Sequence, residues 1–398
     1  MPIFDRKLDR LNMSELIKRT IAKEIRKRIK QYPILAITGP RQSGKTTLLK
    51  TLFPDYGYVS LENPDHRSFA QEDPNSFLQQ YANKTILDEV QRVPELFSYL
   101  QTTVDKSGQM GQYILSGSQN FHLLKHITQS LAGRVALFRL LPLDTQELAQ
   151  AKKLPANYLE ACIQGGYPAI YHRGLDPTDF YANYIRTYIE KDVTELINIR
   201  DINSFRTFLG LCAARAGQLL NLTALANDCN ISQPTAKAWL AVLESSYLVF
   251  SLYPYHDNFN KRLVKTPKLY FYDVGLLTHL LQIREPEELV INRHKGNIFE
   301  NFVIANFQKV NEHRYQHLNY YFWQDHNGLE IDLLLKTANA FDVYEAKSTQ
   351  TLSGGLFKNL QHFMELVEPQ SVRPYLVYGG DQPLVRSNVQ VLPWKMLE

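Results

Sequence analysis

Residues 34–53 read ILAITGPRQSGKTTLLKTLF, and this stretch decides the fold of the first part of the chain. It opens with the apolar run of a buried strand and closes with the spacing of a helix. Between them, GPRQSGKT fits the pattern GxxxxGK[ST] without a gap, in the strand–loop–helix context that the pattern requires. Such a loop holds phosphates on its backbone amides, while its lysine reaches the β and γ oxygens and its hydroxyl binds magnesium. The candidate residues for binding ATP and Mg²⁺ are Gly39, Pro40, Arg41, Gln42, Ser43, Gly44, Lys45, Thr46 and Thr47.

Further apolar runs follow the loop at 58–61, 85–87 and 113–116, and each is interpreted as a strand. Helical stretches separate these strands. Strands that alternate with helices indicate a parallel sheet that is covered by helices on both faces. The expected fold class is therefore α/β.

Polar residues end two of these strands. In TILDEV, Asp88 can hold magnesium through water and Glu89 can orient the attacking water, so the pair indicates hydrolysis. The next strand, in YILSGSQN, ends in residues that either sense the γ-phosphate or cap a helix as turn residues. These residues are Ser116, Ser118 and Asn120, of which Ser118 is the catalytic candidate.

An arginine follows a glycine turn in SLAGRVALFRLLPL, which contains Arg134 and Arg139. Oligomeric ATPases often supply such an arginine to the γ-phosphate of a neighbouring copy. Arg134 is the preferred candidate, and a homo-oligomer is expected, with a hexamer as one candidate assembly. The alternative is an internal salt bridge, which arginine forms readily.

Length and composition indicate a soluble protein with several domains. The chain has 398 residues, 44% hydrophobic and 21% charged, enough for two or three domains with their own cores. No apolar run approaches the roughly 18 residues that span a bilayer, and the start lacks a signal-peptide pattern. A cytoplasmic location without membrane contact is therefore expected. The widely spaced Cys162, Cys212 and Cys229 predict neither disulfides nor a zinc site.

The first thirty residues hold ten Lys and Arg against four Asp and Glu. From Asn12 to Lys30, isoleucines recur at every fourth position, and Asn12 with Glu15 resembles a capping box. This pattern predicts a basic amphipathic helix. Either its isoleucine stripe packs on the next domain while the basic side chains are solvated, or the helix contacts a phosphate backbone.

Residues 205–273 show helices followed by two β-rich runs, an order that suggests a winged helix. Within LTALANDCNISQPTAKAWLAVLESSYL, Pro234 falls in the first turn of the second helix of a helix-turn-helix. That helix has no arginine for reading bases, but the loop between the β-rich runs is basic. The segment is expected either to contact DNA or to dock a protein partner. The candidate DNA-contacting residues are Lys237, Lys261, Arg262, Lys265 and Lys268.

Two predicted C-terminal strands, EIDLLLK and FDVYEAKS, carry charges that face one another. With a hairpin loop at 337–340, Asp332 lies opposite Glu345 and Glu330 lies opposite Lys347. The period of two puts all four side chains on one face. Opposed carboxylates are destabilising unless a cation lies between them, which predicts a divalent metal. The alternative is a salt-bridged strand pair with solvated charges.

A preceding helix, GNIFENFV, adds one more carboxylate to this arrangement. Carboxylates that hold a metal and a lysine that stabilises a developing phosphate anion are the parts of metal-dependent phosphodiester cleavage. The candidate ligands are Glu300, Asp332 and Glu345, with Lys347 as the neighbouring lysine.

The chain resembles prokaryotic AAA+ ATPases of STAND or archaeal-ATPase type in GPRQSGKTTL, LDEVQRVPEL, LSGSQN, LAGRV, GGYPAIY, YIRTYIEKDV, NIFENFV and EIDLLL...YEAKS. Members of that family end in a domain of unknown function that is similar to restriction-type PD-(D/E)XK nucleases. The resemblance implies binding of ATP and magnesium and a link to DNA or to toxin-like and defence systems. It also implies that Lys45 and Thr46 act in the nucleotide loop and that Asp88 and Glu89 act in hydrolysis. Arg134 would be the arginine supplied to the γ-phosphate of a neighbouring copy. The nuclease-like motif would consist of Glu300, Asp332, Glu345 and Lys347.

The expected domains are a basic N-terminal helix (1–30), an AAA+ P-loop core (31–145), a helical lid (146–204), a winged helix (205–290) and a nuclease-like α/β domain (291–398). The leading hypothesis is an Mg-ATP-dependent ATPase that binds branched or end-containing DNA and couples hydrolysis to remodelling or translocation. The alternatives are an ATP-gated, metal-dependent nuclease and a nucleotide-state switch with a protein partner.

Overall fold

The phosphate-loop stretch forms part of a five-stranded parallel sheet. The computed structural model describes residues 16–118, 127, 130–193, 201–255, 265–325, 327–367 and 370–397. The strands are β1 (Ile34–Thr38), β2 (Gly57–Ser60), β3 (Thr85–Asp88), β4 (Tyr113–Ser116) and β5 (Val135–Arg139). Their order is β2-β3-β4-β1-β5, and all neighbours are parallel. The predicted parallel α/β sheet is confirmed.

Both faces of this sheet are covered, which explains its nearly continuous apolar runs. Every residue of β1 is buried. Ile34 and Ala36 pack into one apolar core, while Leu35 and Ile37 pack into another on the opposite face. Among the described residues, the helices that flank the sheet are α1 (Ala22–Arg28), α2 (Lys45–Leu52), α3 (Pro64–Glu72), α4 (Pro74–Gln80) and α5 (Leu96–Ser107).

The N-terminal helix is shorter than the isoleucine spacing predicts. It comprises α1 alone, because residues 16–19 have no regular secondary structure, and the predicted cap Asn12 lies outside the described residues. Ile21 and Ile25 are fully buried against the sheet domain. Of the two alternatives for this segment, the structure therefore supports the packing of the isoleucine stripe.

A run of short helices follows β5 where the helical lid is predicted. These are α6 (Thr145–Gln150), α7 (Tyr158–Gln164), α8 (Pro168–Arg173), α9 (Pro177–Tyr184) and the π-helical segment Ile185–Val193. Several begin at a residue whose side chain accepts a backbone N–H, such as Asp144 before α6 and Asn157 before α7. Polar cap residues therefore divide this region into short helices.

Three helices then precede a two-stranded antiparallel sheet, in the order that the sequence predicts. They are α10 (Ile202–Ala214), α11 (Leu222–Asp228) and α12 (Gln233–Ser245), followed by β6 (Val249–Leu252) and β7 (Lys268–Phe271). Ser232 caps α12 by accepting from the amide of Thr235, and Pro234 lies in the first turn as expected. Two further helices, α13 (Val274–Leu280) and α14 (Pro286–Ile291), lead to the last domain.

The last domain is a six-stranded sheet in the order β12-β13-β11-β10-β9-β8. Its elements are α15 (Lys295–His313), β8 (Tyr320–Gln324), β9 (Glu330–Lys336), β10 (Ala340–Lys347), α16 (Lys358–Val367), β11 (Ser371–Tyr378), β12 (Leu384–Arg386) and β13 (Val389–Pro393). The pairs Phe341–Lys336 and Tyr344–Leu333 confirm the predicted hairpin register. The sequence did not predict β12 and β13. In the part of the chain that is described, no helix is long and apolar enough to cross a membrane.

Candidate nucleotide site

The loop between β1 and α2 needs its glycines. Gly39 has a φ of 148°, and an added Cβ atom would lie 2.2 Å from the carbonyl oxygen of Leu140. Gly44 has a φ of 94° and directly precedes Lys45, the first residue of α2. The helix therefore begins at the loop itself, so its free N–H groups point to where a phosphate binds.

Lys45 is buried and folds back onto its own loop. Its Nζ atom donates to the carbonyl oxygens of Gly39 and Pro40, each at 2.8 Å. Burial lowers the pKa of Lys45 to about 8, although the nearby carboxylates of Glu89 and Asp88 act in the opposite direction. The lysine thus lies beside both acidic residues that the sequence assigned to hydrolysis.

Asp88 joins the loop helix to the sheet. Thr46 Oγ1 donates to Asp88 Oδ2 at 3.0 Å, and Tyr58 Oη donates to the same oxygen at 2.6 Å. Tyr58 pairs with Ile86 across β2 and β3, so it shares a face with Asp88, two residues further on. The structure brings Thr46 and Asp88 together as predicted. Sequence reasoning missed Tyr58, although the period of two along β2 could have placed it.

Glu89 is held in a left-handed conformation, with a φ of 54°, directly after β3. Its Oε2 atom accepts from Gln91 Nε2 at 2.5 Å and from Ser118 Oγ at 3.2 Å. Burial raises the pKa of Glu89, and the positive charge of Lys45 opposes this rise. A raised pKa brings a carboxylate closer to the range of an effective general base at neutral pH. Such backbone strain is often found at functional sites.

Two hydroxyl groups beside the site are buried without a hydrogen-bond partner among the described residues. They are Ser43 Oγ in the loop and Ser116 Oγ at the end of β4. Buried polar atoms are nearly always paired, so a polar ligand such as phosphate fits their surroundings. Asn120, the third polar residue predicted here, lies outside the described residues.

The lid contacts the loop directly. Tyr184 Oη donates to the carbonyl oxygen of Arg41 at 3.5 Å, and the Arg41 guanidinium lies 5.5 Å from the ring centroid of Tyr188. A Cβ atom added to Gly44 would lie 3.9 Å from Pro168 Cγ. The phosphate loop therefore contacts α8, α9 and the π-helical segment.

Arg19, which precedes α1, makes an unforeseen contact with the loop. Its guanidinium donates to the carbonyl oxygens of Ser43 at 2.9 Å and Leu141 at 2.7 Å. It also forms a buried ion pair with Glu147 at 3.1 Å and lies 3.2 Å from His313 Nε2. One side chain therefore joins the phosphate loop, the end of β5, the lid and α15 of the last domain.

His313 continues this network towards the lid. Since an arginine only donates hydrogen bonds, His313 Nε2 is the acceptor, and His313 Nδ1 donates to Asp144 at 2.7 Å. Asp144, Glu147 and His313 lie close enough together to hold a metal ion. The Arg19 guanidinium lies against Glu147 and His313, so a cation already belongs to this cluster.

Arg134 and its own phosphate loop lie at opposite ends of the strands. The Arg134 carbonyl oxygen accepts from the amide of Ile34 at the start of β1, whereas the loop follows the other end of β1, roughly 13 Å away. Its guanidinium forms a two-point ion pair with Asp105, at 2.6 and 2.8 Å. This observation favours the internal salt bridge, the alternative interpretation of Arg134. Arg139 pairs with Glu312 of α15 at 2.8 Å.

The carboxylates predicted to bind a metal in the last domain are only partly brought together. Glu300, Glu330 and Asp332 each offer an oxygen within 4.8 Å of the others. Lys268 Nζ lies 3.0 Å from Glu300 Oε1 and forms a second ion pair with Glu330. Burial raises the pKa of Glu300 to about 7, and the charge of Lys268 opposes this rise. Glu330, which was placed on the shared face but not chosen as a ligand, takes the place of Glu345.

Glu345 has partners of its own. It forms an ion pair with Lys347, and its Oε1 atom accepts from Asn359 Nδ2 at 3.0 Å. Burial, followed by the charge of Asp332, raises the pKa of Glu345 to about 8. Asp332 Oδ2 in turn accepts from the amide of Ala346 at 2.8 Å. An ion pair is thus present on the hairpin as in the alternative interpretation, but its carboxylate is buried rather than solvated.

The residues predicted to contact DNA fall into three groups. Lys237 and Lys265 are exposed, whereas Lys261 and Arg262 lie outside the described residues. Lys268 is not available for the predicted contact with DNA, because its exposed fraction is 3%. Its charge is used within the protein, in the carboxylate cluster of the last domain.

The parallel sheet, the glycine loop and the helix that begins at that loop form a P-loop domain. Residues 31–149 match the model of the family described as AAA domain. Residues 155–287 and 295–397 each match a family described as a domain of unknown function, DUF8612 and DUF4143 respectively.

Similar proteins occur in mycobacteria. The chain is 29% identical over 388 residues to the uncharacterized proteins Mb2031c of Mycobacterium bovis and Rv2008c of Mycobacterium tuberculosis, covering 96% of this chain and 84% of each relative. Among solved structures, the Walker-type ATPase PABY2304 of Pyrococcus abyssi aligns over 68% of this chain and 97% of its own, with 14% identity and a TM-score of 0.44. A variant of RuvB from Thermotoga maritima aligns over 61% of this chain and 91% of its own, with 18% identity and a TM-score of 0.32.

The lowered pKa of Lys45 predicts that nucleotide binding weakens in alkaline solution. Phosphate groups bind the ammonium form, and the free protein loses that form as pH rises through about 8. The Kd of a non-hydrolysable Mg-ATP analogue should therefore rise about tenfold per pH unit above that point. Calorimetry at pH 7, 8 and 9 measures this. Lys45→Arg, which stays charged, should remove this dependence, and a constant wild-type Kd would contradict the prediction.

Proposed function

We propose that this protein is a magnesium-dependent ATPase. One observation carries the proposal: Thr46 Oγ1, on α2, lies 3.0 Å from Asp88 Oδ2, at the end of β3, beside the phosphate loop and its lysine. Glu89 follows directly, as the orienting base does in P-loop enzymes. The match of residues 31–149 to the AAA domain supports the same activity.

The side chains of the site have distinct roles in this reaction. Thr46 and Asp88 would hold magnesium, which would supply neutralisation of charge on the phosphate oxygens. Lys45 leaves its two loop carbonyls and stabilises the β and γ oxygens. Glu89 orients the attacking water and accepts its proton, while Ser118 fixes the Glu89 carboxylate.

Nucleotide state is relayed beyond the loop through Arg19. Because Arg19 binds the Ser43 carbonyl and contacts Glu147 and His313, a shift of the loop alters contacts in the lid and in α15. Tyr184 and Tyr188 supply a second connection, through Arg41. Hydrolysis can therefore change the position of the domains that follow.

DNA, branched or with free ends, is the proposed partner of those domains. Two exposed lysines support this, Lys237 on α12 and Lys265 before β7. Three helices and an antiparallel pair of strands are also the elements of a winged helix. Contacts of this kind bind phosphates rather than read bases, which suits recognition of DNA structure.

Charge reversal at these two lysines should weaken DNA binding. We expect Lys237→Glu with Lys265→Glu to lower affinity for a four-way junction at least about tenfold and to reduce the salt slope by about 2. Fluorescence anisotropy across a salt series measures both quantities. The matched control is Lys106→Glu, an exposed lysine of α5 in the sheet domain. Equal affinity of the double variant and the control would contradict a DNA-binding role for this module.

A separate experiment tests whether DNA binding and ATP hydrolysis are coupled. The steady-state ATPase rate is compared with single-stranded, duplex and four-way-branched DNA, with Glu89→Gln as the blank. Stimulation by a branched or end-bearing form is the expected result. A rate that no DNA changes would contradict coupling.

A nucleotide-state switch with a protein partner is the second candidate function. It is favoured by the Arg19 connection, which needs no DNA to transmit the state of the loop. A partner captured by wild type but not by Lys45→Ala protein, or the reverse, would support it. An identical set of captured proteins would count against it.

We also propose that the ATPase forms a homo-oligomer, with a hexamer as the candidate assembly. In such an assembly Arg134 would act on the γ-phosphate of a neighbouring copy, because it lies far from its own phosphate loop. In that role Arg134 must leave Asp105, its partner in the isolated chain.

A further inference from the structure

Tyr58 connects one edge of the parallel sheet with the carboxylate at the end of β3. It lies on β2, the first strand in the sheet order, and pairs with Ile86 of β3, two residues before Asp88. Its Oη atom lies 2.6 Å from Asp88 Oδ2. A carboxylate only accepts hydrogen bonds, so the phenol is the donor. A residue outside the phosphate loop and the acidic pair therefore holds the buried Asp88 side chain.

Both oxygens of Asp88 accept hydrogen bonds. Oδ2 accepts from Thr46 Oγ1 at 3.0 Å as well as from Tyr58, and Oδ1 accepts from the amide of Glu89 at 3.2 Å. Thr46 has its own proposed contact with magnesium, and the Glu89 donor belongs to the backbone. Of the three donors, Tyr58 Oη is thus the side-chain group whose contact in the site is with the carboxylate alone.

The ring of Tyr58 is held by the same helix that carries Thr46. Lys50 Nζ lies 4.0 Å from the centroid of the Tyr58 ring, which is a cation–π contact. Lys50 follows Thr46 by four residues on α2, so the two side chains lie on one face of that helix. The ring is therefore fixed against α2 while its hydroxyl group reaches β3, and this fixes the direction of the O–H group.

A fixed donor matters for a carboxylate that takes part in metal binding. Such carboxylates are themselves hydrogen-bonded by residues that do not touch the metal, and these bonds set their orientation. Loss of a partner of this kind typically costs about 10–100-fold in metal affinity or activity. The bond from Tyr58 to Asp88 has the geometry of such a partner.

We infer that Tyr58 is a positioning residue of the magnesium site, which holds Asp88 in the orientation that faces Thr46. It acts through Asp88 and contacts neither the phosphate loop nor Glu89. The inference rests on the proposed function, because it concerns the magnesium that accompanies ATP. It adds to that site a residue that neither the loop motif nor the acidic pair contains.

Tyr58→Phe removes the hydroxyl group and keeps the ring. For the full chain, we expect the Kd of a non-hydrolysable ATP analogue with Mg²⁺ to rise about tenfold, while the Kd in EDTA stays within about twofold of wild type. Calorimetry measures both values. In steady state, the Mg²⁺ concentration that gives half-maximal ATP hydrolysis should rise by a similar factor, whereas kcat at saturating Mg²⁺ should change less.

Two further variants separate positioning from a structural role. Tyr56→Phe is the matched control, because Tyr56 Oη donates to the carbonyl oxygen of Gly111 at 2.7 Å and the substitution also removes one tyrosine hydrogen bond. Its Kd values should equal those of wild type. In Asp88→Asn protein, adding Tyr58→Phe should cause no further loss of affinity with Mg²⁺, because the effect of Tyr58 passes through that carboxylate.

The possible failures are distinguishable. Equal Kd values with Mg²⁺ for Tyr58→Phe and Tyr56→Phe would overturn the inference. So would a loss of the same size in EDTA, or a loss that adds to that of Asp88→Asn, since Tyr58 would then have a structural role only. A wild-type Kd that is the same with Mg²⁺ and in EDTA would contradict the proposed magnesium-dependent function itself, and the inference with it.

Lys50→Met supplies the test if Tyr58→Phe does not fold. Lys50 is exposed, and its substitution leaves the Tyr58 hydroxyl group in place while it removes the cation over the ring. We expect the Kd with Mg²⁺ to rise about threefold without a change in EDTA, in line with the strength of an exposed cation–π contact. A Kd that does not change with Mg²⁺, or that changes equally in EDTA, would count against the positioning role.

Discussion

Replacing Glu89 by glutamine should lower kcat for ATP hydrolysis by about 10²–10⁴-fold while ATP still binds. Glutamine keeps the size of the side chain and its bonds to Ser118 and the loop after β3, but it cannot accept a proton. The buried position of Glu89 and its raised pKa suit it to this role. Steady-state turnover together with the Kd of Mg-ATP separates the loss of chemistry from a loss of binding.

Glu95→Gln is the matched control for this substitution. Glu95 lies in the same turn region, directly before α5, and is exposed. It should hydrolyse ATP at the wild-type rate. If Glu89→Gln keeps more than about a tenth of wild-type kcat, Glu89 is not the base, and the proton must go elsewhere.

Arg19→Ala should lower the free energy of unfolding far more than the substitution of an exposed arginine does. The substitution leaves Glu147, whose side chain is fully buried, without its cation, and it frees the carbonyl oxygens of Ser43 and Leu141. Breaking a buried ion pair from one side costs about 3–5 kcal/mol of unfolding free energy. Urea unfolding followed by circular dichroism measures this. The KM for ATP should rise as well, because the loop loses a backbone contact.

The control is Arg26→Ala, an exposed arginine of α1. Removing the same charge there should change the unfolding free energy by less than about 0.5 kcal/mol. Equal effects of the two substitutions would mean that the loss follows from net charge, and the network around Arg19 would have no special role.

The sequence predicted those features that depend on local pattern. The run Ile34–Thr38 is a strand with both faces covered, and the loop after it has the glycine conformations that its motif requires. The register of the β9–β10 hairpin was also predictable, because a period of two and a short loop allow one alignment in which the charges meet. Each of these features is set by neighbours along the chain or across one turn.

Basic residues with buried partners could not be predicted in the same way. Arg19 and Lys268 were counted with surface charges, since a charged side chain is usually solvated. Their partners, Glu147 and Glu300, are distant in the sequence and meet them only after the domains pack. The amide of Thr20 also donates to Glu147 at 2.7 Å, which explains why α1 begins later than its isoleucines predict.

The carboxylate cluster contains Glu330 where the sequence predicted Glu345, and contacts between distant elements again explain the difference. Counting along the hairpin placed both residues on one face, but it could not include Asn359, which binds Glu345 from a different element. Tertiary contacts therefore decided which carboxylates remain close to Lys268 and which receive other partners.

Steady-state ATP hydrolysis by the purified full chain, with magnesium and with EDTA, tests the central proposal most directly. We expect turnover that requires magnesium and that falls to background in Lys45→Ala protein of unchanged fold. Wild-type protein that releases phosphate no faster than Lys45→Ala, with every DNA form and with magnesium present, would contradict the assignment as an ATPase.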